Sequence, residues 1–180
     1  MIISVDHGNK SIKTPNLLFT SGLIVSDNQS GIKSDSIYWE GKYYTLTESR
    51  ISYMRDKTED ERFFVLTLFA IAYELERKGI REMENPIDIT LLVGLPPAHY
   101  GQLHGRFEQY FFRKREVIDF LFNDRCYAIQ IPHTAPAQPR SGWGNTPLAL
   151  GTALPSPADF PPHCRHQTNS NPAASIRQRH

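Results

Sequence analysis

The chain has 180 residues, of which 20 are Lys or Arg and 19 are Asp or Glu, so its formal charge is +1. This length suits one domain, or one domain with a tail, and the balanced charge excludes a global field that would draw the chain to nucleic acid or to an anionic membrane. The start of the chain lacks the basic segment of a signal peptide, and its longest apolar run falls well short of the ~20 residues that a membrane span needs. We therefore expect a cytoplasmic protein with no membrane segment.

The predicted elements are, in chain order, two strands, a hairpin, a helix, a strand, a helix and a second hairpin, at residues 2–5, 11–13, 37–46, 58–78, 87–95, 98–113 and 117–131. Thr58, with Glu61 three residues later, predicts a capping box for the first helix, and Gly79 stands where a C′ glycine belongs. Apolar residues cover this helix on nearly every side, which predicts that it is buried. The continuous apolar run at 87–95 predicts a central strand covered on both faces. The order as a whole predicts an α/β fold with a mixed sheet and flanking helices.

The turn between the first two strands is the most informative part of the sequence. Gly8 lets the backbone turn tightly, so the amides of Gly8, Asn9 and Lys10 can face one point and form a nest for terminal phosphates. Lys13 would add a positive charge, and Asp6 could hold a hydrated Mg²⁺. The same residue types are also common in ordinary hairpin turns. From this motif alone, a phosphate loop and a plain turn both remain open.

The composition changes sharply at residue 132. The segment 132–180 holds nine of the thirteen prolines of the chain, no lysine and a single acid, Asp159. Such a segment cannot bury enough apolar area to offset its ordering entropy. We therefore predict a folded domain at residues 1–131 and a largely disordered, Pro-rich tail at residues 132–180.

Five features of residues 1–131 occur together and in order: the loop Asp6–Lys13, the hairpin at 40–47, the segment 53–58, the aromatic helix from Asp60 and the strand-turn at 91–100. Together they resemble the amino-terminal domain of the ParM/StbA-type actin-like ATPases of plasmid segregation. The resemblance implies one lobe of an actin-like (RNase H-like) fold, with ATP and Mg²⁺ bound in the cleft between two lobes. It also implies self-association into filaments that move plasmid or phage DNA through a DNA-bound adaptor, without sequence-specific DNA binding by the filament itself.

Carried over by residue, the resemblance implies that Asp6 organises Mg²⁺ and the catalytic water, that Gly8, Asn9 and Lys10 offer amides, and that Lys13 contacts phosphate. The second phosphate loop of this family, of the Asp-x-Gly-Gly-Thr type, and its adenosine-binding lobe do not follow in this sequence. A frameshift, premature stop or fusion after residue 131 would produce such a junction. Because phosphoryl transfer needs charge stabilisation from several sides, we expect weak or no ATP binding and negligible hydrolysis by this chain alone.

Two other classes fit parts of the same pattern. An RNase H-like nuclease would need several carboxylates at the ends of neighbouring strands. Asp6 is placed suitably for this, but Asp88 begins its strand and would lie at the opposite edge of the sheet, so the pattern excludes the nuclease. A non-catalytic interaction module that binds no nucleotide remains open as the alternative function.

Overall fold

The computed structural model describes residues 1–31, 34–80, 85–94, 97–112 and 116–137. The strands in these residues are β1 (Ile2–His7), β2 (Ser11–Lys13), β3 (Leu18–Thr20), β4 (Leu23–Ser26), β5 (Ser36–Trp39), β6 (Lys42–Leu46), β7 (Ile87–Gly94), β8 (Ile118–Phe122) and β9 (Arg125–Ala137). The helices are α1 (Arg62–Arg77) and α2 (Pro97–Phe111), and a short 3-10 turn, Lys57–Glu59, precedes α1. Neither of these two α-helices has the length and apolar character that a membrane crossing demands.

The strands form one mixed sheet in the order β3-β2-β1-β7-β9-β8-β5-β6-β4. β1, β7 and β9 run parallel to one another, and the other neighbouring strands are antiparallel. This arrangement confirms the predicted α/β class with a mixed sheet.

The two ends of the sheet meet at a corner formed by Ser21 and Gly22. β3 and β4 lie at opposite ends of the strand order, yet only these two residues separate them in the chain. The Ser21 N–H donates to the carbonyl of Lys10 (3.3 Å), while the Ile51 N–H donates to the carbonyl of Ser21 (2.8 Å) and the Thr47 N–H to that of Gly22 (3.2 Å). The sheet therefore curls until its first and last strands adjoin.

Helix α1 lies inside the curl. It packs against β1, β2 and β5, and its residues from Phe63 to Ala72 are all buried. Its aromatic side chains meet the sheet on different sides: the Phe64 ring lies 5.2 Å from that of Trp39, and the Phe69 ring lies perpendicular to that of Phe122 at 6.0 Å. The prediction that this helix is buried on every side is confirmed, and the curl of the sheet is the reason.

The start of α1 differs from the capping box predicted at Thr58. The Thr58 N–H donates to the carboxylate of Asp56 (3.0 Å), which caps the 3-10 turn, and α1 begins only at Arg62. There the Arg62 N–H donates to the carboxylate of Asp60 (2.9 Å). In both places a carboxylate two residues before the donating N–H thus supplies an acceptor, the role that the capping box assigned to the hydroxyl of Thr58.

β7 is central, as predicted, but within the described residues only one of its faces is fully covered. Its side chains alternate in exposure, with one set buried (Ile89, Leu91, Val93) and the intervening set half-buried or exposed (Asp88, Thr90, Leu92). The buried set faces the same side as α1, and α2 packs on that side too, since Phe111 of α2 stacks on Phe64 of α1 at 6.4 Å. The apolar run at 87–95 therefore overstated the coverage of this strand.

The last described strand continues past the boundary predicted at residue 131. β9 pairs with β8 through its first residues and with β7 as far as Ala137, which lies opposite Gly94. Residues 132–137 therefore belong to the sheet. The rest of the predicted tail, residues 138–180, lies outside the described residues. The parallel strands β1, β7 and β9 end side by side, and we call this side of the sheet the carboxyl edge.

Candidate functional site

The predicted phosphate loop, residues 8–10, lies at the carboxyl edge. It connects β1 to β2 in a hairpin, as the sequence predicted, and it begins two residues after Asp6, which pairs with Gly94 of the parallel strand β7. Ligands of open α/β sheets bind beyond the carboxyl ends of the parallel strands. The loop therefore occupies the position in this fold where a ligand is expected.

Asp6 and Lys13 lie on one face of the sheet beside the loop. They are directly opposite each other in the antiparallel register of β1 and β2, so their side chains project to the same side, and both are exposed. The neighbouring pair, His7 and Ile12, is buried on the other face, toward α1. The structure thus brings together the acid and the amine that the sequence selected.

Three carbonyl groups at the loop, those of His7, Gly8 and Lys10, accept hydrogen bonds from the rest of the protein. The Lys57 ammonium donates to the carbonyl of His7, and the Ser21 hydroxyl donates to the carbonyl of Gly8 at 2.9 Å. The Ser21 N–H donates to the carbonyl of Lys10. Sequence reasoning missed Lys57 and Ser21, because each reaches the loop across a long stretch of chain.

The amides of the loop point away from these contacts. In a trans peptide the C=O and the following N–H point in opposite directions, and no described peptide is cis. The N–H groups of Gly8 and Asn9 are therefore directed away from Lys57 and Ser21. Among the main-chain hydrogen bonds outside helices and strands in the described residues, none is donated by Gly8, Asn9 or Lys10. Two successive amides left open in a turn, those of Gly8 and Asn9, can bind an anion.

Two glycines leave room that a side chain would fill. A Cβ on Gly8 would lie 2.7 Å from the carbonyl oxygen of Ser11, so the hairpin closes at this spacing only with glycine. A Cβ on Gly94 would lie 3.0 Å from a carboxylate oxygen of Asp6. Glycine at position 94 therefore leaves the Asp6 carboxylate space at the end of β1.

Lys57 places a buried positive charge behind the loop. The residue is 8% exposed, and its ammonium lies 5.3 Å from the centre of the Phe63 ring. Burial lowers the pKa of Lys57, and the nearby charge of Asp6 opposes that shift. The sequence carried one signal for this residue, a lysine inside the segment 53–58 that contributes to the resemblance.

His7 is buried against α1 and α2 and is neutral. The hydroxyl of Thr67 donates to the carbonyl of Phe63 (2.9 Å), so toward His7 it accepts, and the proton of the imidazole lies on Nε2 (2.7 Å). Nδ1 is left without a hydrogen-bond partner in the described part of the chain. Burial, together with a smaller contribution from the charge of Lys57, lowers the pKa of His7 to about 3. His7 therefore adds no charge to the loop.

The carboxylates of the described residues do not gather into a metal cage. No group of three or more His, Cys, Asp or Glu side chains within these ranges is placed to hold a metal ion. Asp88 lies six positions from Gly94 along β7, about 20 Å at roughly 3.3 Å per residue, and so at the opposite edge from Asp6. This position agrees with the exclusion of an RNase H-type cluster.

A shallow pocket of about 500 Å³ lies away from the loop. It is lined by Phe19, Thr20, Ser34, Asp35, Leu46, Thr47 and Glu48 and shares no residue with the carboxyl edge. Its two carboxylates would repel phosphate, and that of Asp35 already accepts hydrogen bonds from Tyr73 and Asn123. The loop, with its open amides and adjacent cations, is therefore the better candidate site for an anion.

Comparison with known proteins gives matches in structure only. No family model and no curated protein matches the sequence. The fold is similar to an AlfA filament bound to AMPPNP (TM-score 0.57, 12% identity, covering 77% of this chain and 54% of that one). It is also similar to a ParM filament from Clostridium botulinum (TM-score 0.54, 17% identity, 76% and 47%) and to an archaeal actin homologue (TM-score 0.55, 12% identity, 76% and 45%). The chain spans about half the length of these structures, and it has the actin-like fold, as a single lobe.

Proposed function

We propose that this chain is the amino-terminal lobe of an actin-like, ATP-binding, filament-forming protein that segregates plasmid or phage DNA. In this proposal the amides of Gly8, Asn9 and Lys10 receive the phosphates, and Lys13 adds a positive charge beside them. The observation that carries the proposal is the loop at the carboxyl edge, where the carbonyls of His7, Gly8 and Lys10 are bound to the protein while the amides of Gly8 and Asn9 point away from those contacts. A structural neighbour described as a filament bound to AMPPNP supports a nucleotide as the ligand.

The residues at the loop suit a hydrated Mg²⁺. Mg²⁺ usually keeps several waters and binds through one or two carboxylates together with the phosphates of the substrate. Asp6 offers one exposed carboxylate, and Gly94 leaves space beside it. Bound there, Mg²⁺ would neutralise phosphate charge, while Asp6 would orient the waters that the ion retains.

The described residues contact a phosphate group from one side. The loop amides and Lys13 bind and orient the phosphates, and Asp6 holds water next to them. Hydrolysis needs charge stabilisation from several sides of the transferred group, and a single loop supplies only part of it. We therefore propose that these residues bind phosphate weakly and that the chain by itself hydrolyses ATP negligibly.

A titration of the isotope-labelled chain with Mg-ATP, followed by NMR, tests this proposal. We expect a dissociation constant of about 1 mM, with the largest shifts at the amides of Gly8, Asn9 and Lys10. Lys13→Met removes a charge beside the phosphates and should weaken binding by up to about fivefold, since an exposed ion pair contributes about 0.2–1 kcal/mol. Lys42→Met is the matched control, because Lys42 is also an exposed lysine on a strand but lies on β6.

Two results would contradict the proposal. If about 10 mM Mg-ATP left the amides at 8–10 unmoved, the loop would be an ordinary turn. Micromolar affinity measured by calorimetry would refute the expectation that the site is one-sided.

We further propose that the whole protein self-associates into cytoplasmic filaments and engages a DNA-bound adaptor without reading DNA sequence itself. The AlfA and ParM neighbours are described as filaments, which supports self-association. Light scattering with and without saturating Mg-ATP separates this proposal from an interaction module that binds no nucleotide. A filament protein predicts a nucleotide-dependent rise that Asp6→Asn abolishes, whereas a module predicts scattering that nucleotide does not change.

A further inference from the structure

We propose that Lys57 and Ser21 are positioning residues of the phosphate loop: by holding the carbonyls of His7 and Gly8, they aim the amides of Gly8 and Asn9 at the incoming phosphate. The proposal rests on the proposed function and extends it to two residues outside the loop. Neither residue needs to touch the ligand, because each acts through a peptide plane.

Lys57 fixes the first peptide plane of the loop. Its ammonium donates to the His7 carbonyl, which belongs to the same rigid peptide as the Gly8 N–H. Turning this amide away from the open side would break a charge-assisted hydrogen bond, one of the strong kinds. A cation on the carbonyl also polarises the peptide, which makes the Gly8 N–H a better donor.

Contacts of the 3-10 turn hold Lys57 in place. It begins the 3-10 turn that Asp56 caps through the Thr58 N–H. The carboxylate of Asp56 also pairs with Arg106 of α2 at 2.7 Å. The lysine is therefore anchored by its backbone as well as by burial, so its ammonium can define the orientation of the loop.

Ser21 fixes the second peptide plane. Its hydroxyl donates to the carbonyl of Gly8, which belongs to the same peptide as the Asn9 N–H, and its own N–H donates to Lys10. Ser21 is 1% exposed, and its carbonyl accepts from Ile51, so the corner of the curled sheet holds it rigidly. The hydroxyl has this one described partner, so its removal would release the Gly8–Asn9 peptide while leaving the two main-chain hydrogen bonds of Ser21 in place.

The geometry assigns a positioning role rather than direct contact. The ammonium of Lys57 lies on the carbonyl side of the His7–Gly8 peptide, while an anion bound by the amides would lie on the other side. Ser21 carries no charge, so any effect of Ser21→Ala on phosphate affinity must act through the backbone. These two features separate positioning from simple attraction between charges.

The test begins without a ligand, on the full chain. In Ser21→Ala we expect NMR to show a changed Asn9 amide shift, and in Lys57→Met a changed Gly8 amide shift, with the strand amides unmoved. Ser26→Ala is the matched control, since the Ser26 hydroxyl also donates to a backbone carbonyl, that of Asn28, but far from the loop. If both loop amides stay at their parent positions in the two variants, the proposal is overturned.

The second step titrates the variants with Mg-ATP. We expect affinity to fall about fivefold in Ser21→Ala and about tenfold in Lys57→Met, whereas Ser26→Ala should match the parent. The salt dependence of affinity should be the same in Lys57→Met as in the parent, because Lys57 does not pair with the phosphate. A flattened salt dependence would overturn the positioning role in favour of direct charge contact.

The two steps also separate this inference from the proposed function. If the parent chain binds no Mg-ATP but the loop amides move in the variants, the positioning contacts stand and the nucleotide proposal fails. If one of the two variants does not fold, the other still tests the positioning proposal, because each variant breaks a different carbonyl contact.

Discussion

Between pH 6.5 and about 4, we expect the free energy of unfolding to fall by up to about 1.4 kcal/mol per pH unit because of His7 alone. The imidazole has a pKa of about 3 in the folded chain, against an ordinary value of 6.5, because it is fully buried. Between these two values the unfolded chain binds a proton that the folded chain does not. This stabilisation is therefore complete above pH 6.5 and is lost as the pH falls from 6.5 toward 3, with a total of about 4–5 kcal/mol.

Urea unfolding at a series of pH values measures this effect. His7→Gln is the comparison variant, since glutamine keeps an N–H that can reach Thr67 but does not titrate. The slope between pH 4.5 and 6 should be smaller in this variant by about 1.4 kcal/mol per unit. The carboxylates are the same in both proteins, including Asp60, whose pKa burial raises but the hydrogen bonds and charge of Arg62 lower by more. Parallel pH profiles for parent and variant would show that His7 is not the cause.

We expect Gly22→Ala to destabilise the chain by about 3 kcal/mol or more, at the upper end of the usual cost of overpacking. A Cβ at this position would lie 2.3 Å from the carbonyl oxygens of both Thr47 and Ser49. Both are backbone atoms, so no side-chain rotation relieves the contact. The strands must separate at the corner where the first and last strands of the sheet adjoin.

Gly105→Ala is the matched control for this substitution. Gly105 lies within α2, and a Cβ there would meet nothing within 4 Å. Because alanine favours the helix over glycine, we expect Gly105→Ala to stabilise the chain by about 0.5–1 kcal/mol. Thermal unfolding of the two variants should therefore give shifts of opposite sign. If the free energy of unfolding of Gly22→Ala lay within about 0.5 kcal/mol of that of the parent, the corner would accommodate a Cβ with little loss of stability, which would contradict this prediction.

Features that depend on neighbouring residues could be predicted from the sequence. The hairpin around Gly8 formed as expected, and Gly79 ends α1 with a positive φ of 80°. The turn at Asn123 and Asp124 also takes positive φ values, 48° and 64°, as a tight hairpin requires. In each case the residue type is one that readily adopts the backbone conformation that the turn requires.

Features that depend on distant residues could not be predicted. The contact between Lys57 and His7 joins residues 50 apart, and no periodicity records it. β3 and β4 are short strands at opposite ends of the sheet, and no local pattern records that they adjoin at Ser21 and Gly22. The capping box at Thr58 failed because Asp56, two residues earlier, is the acceptor that the turn uses. The candidate loop was therefore found from sequence, whereas the residues that hold it were not.

The burial of α1 determines how its amide hydrogens exchange with solvent. A helix on the surface can exchange its amide hydrogens by fraying, but α1 packs against β1, β2 and β5 and is buried from Phe63 to Ala72. The amides of Leu66 to Ala72 can meet solvent only when the curl opens, which is a global event. Their deuterium uptake should thus report the stability of the whole lobe, and it should be among the slowest in the chain.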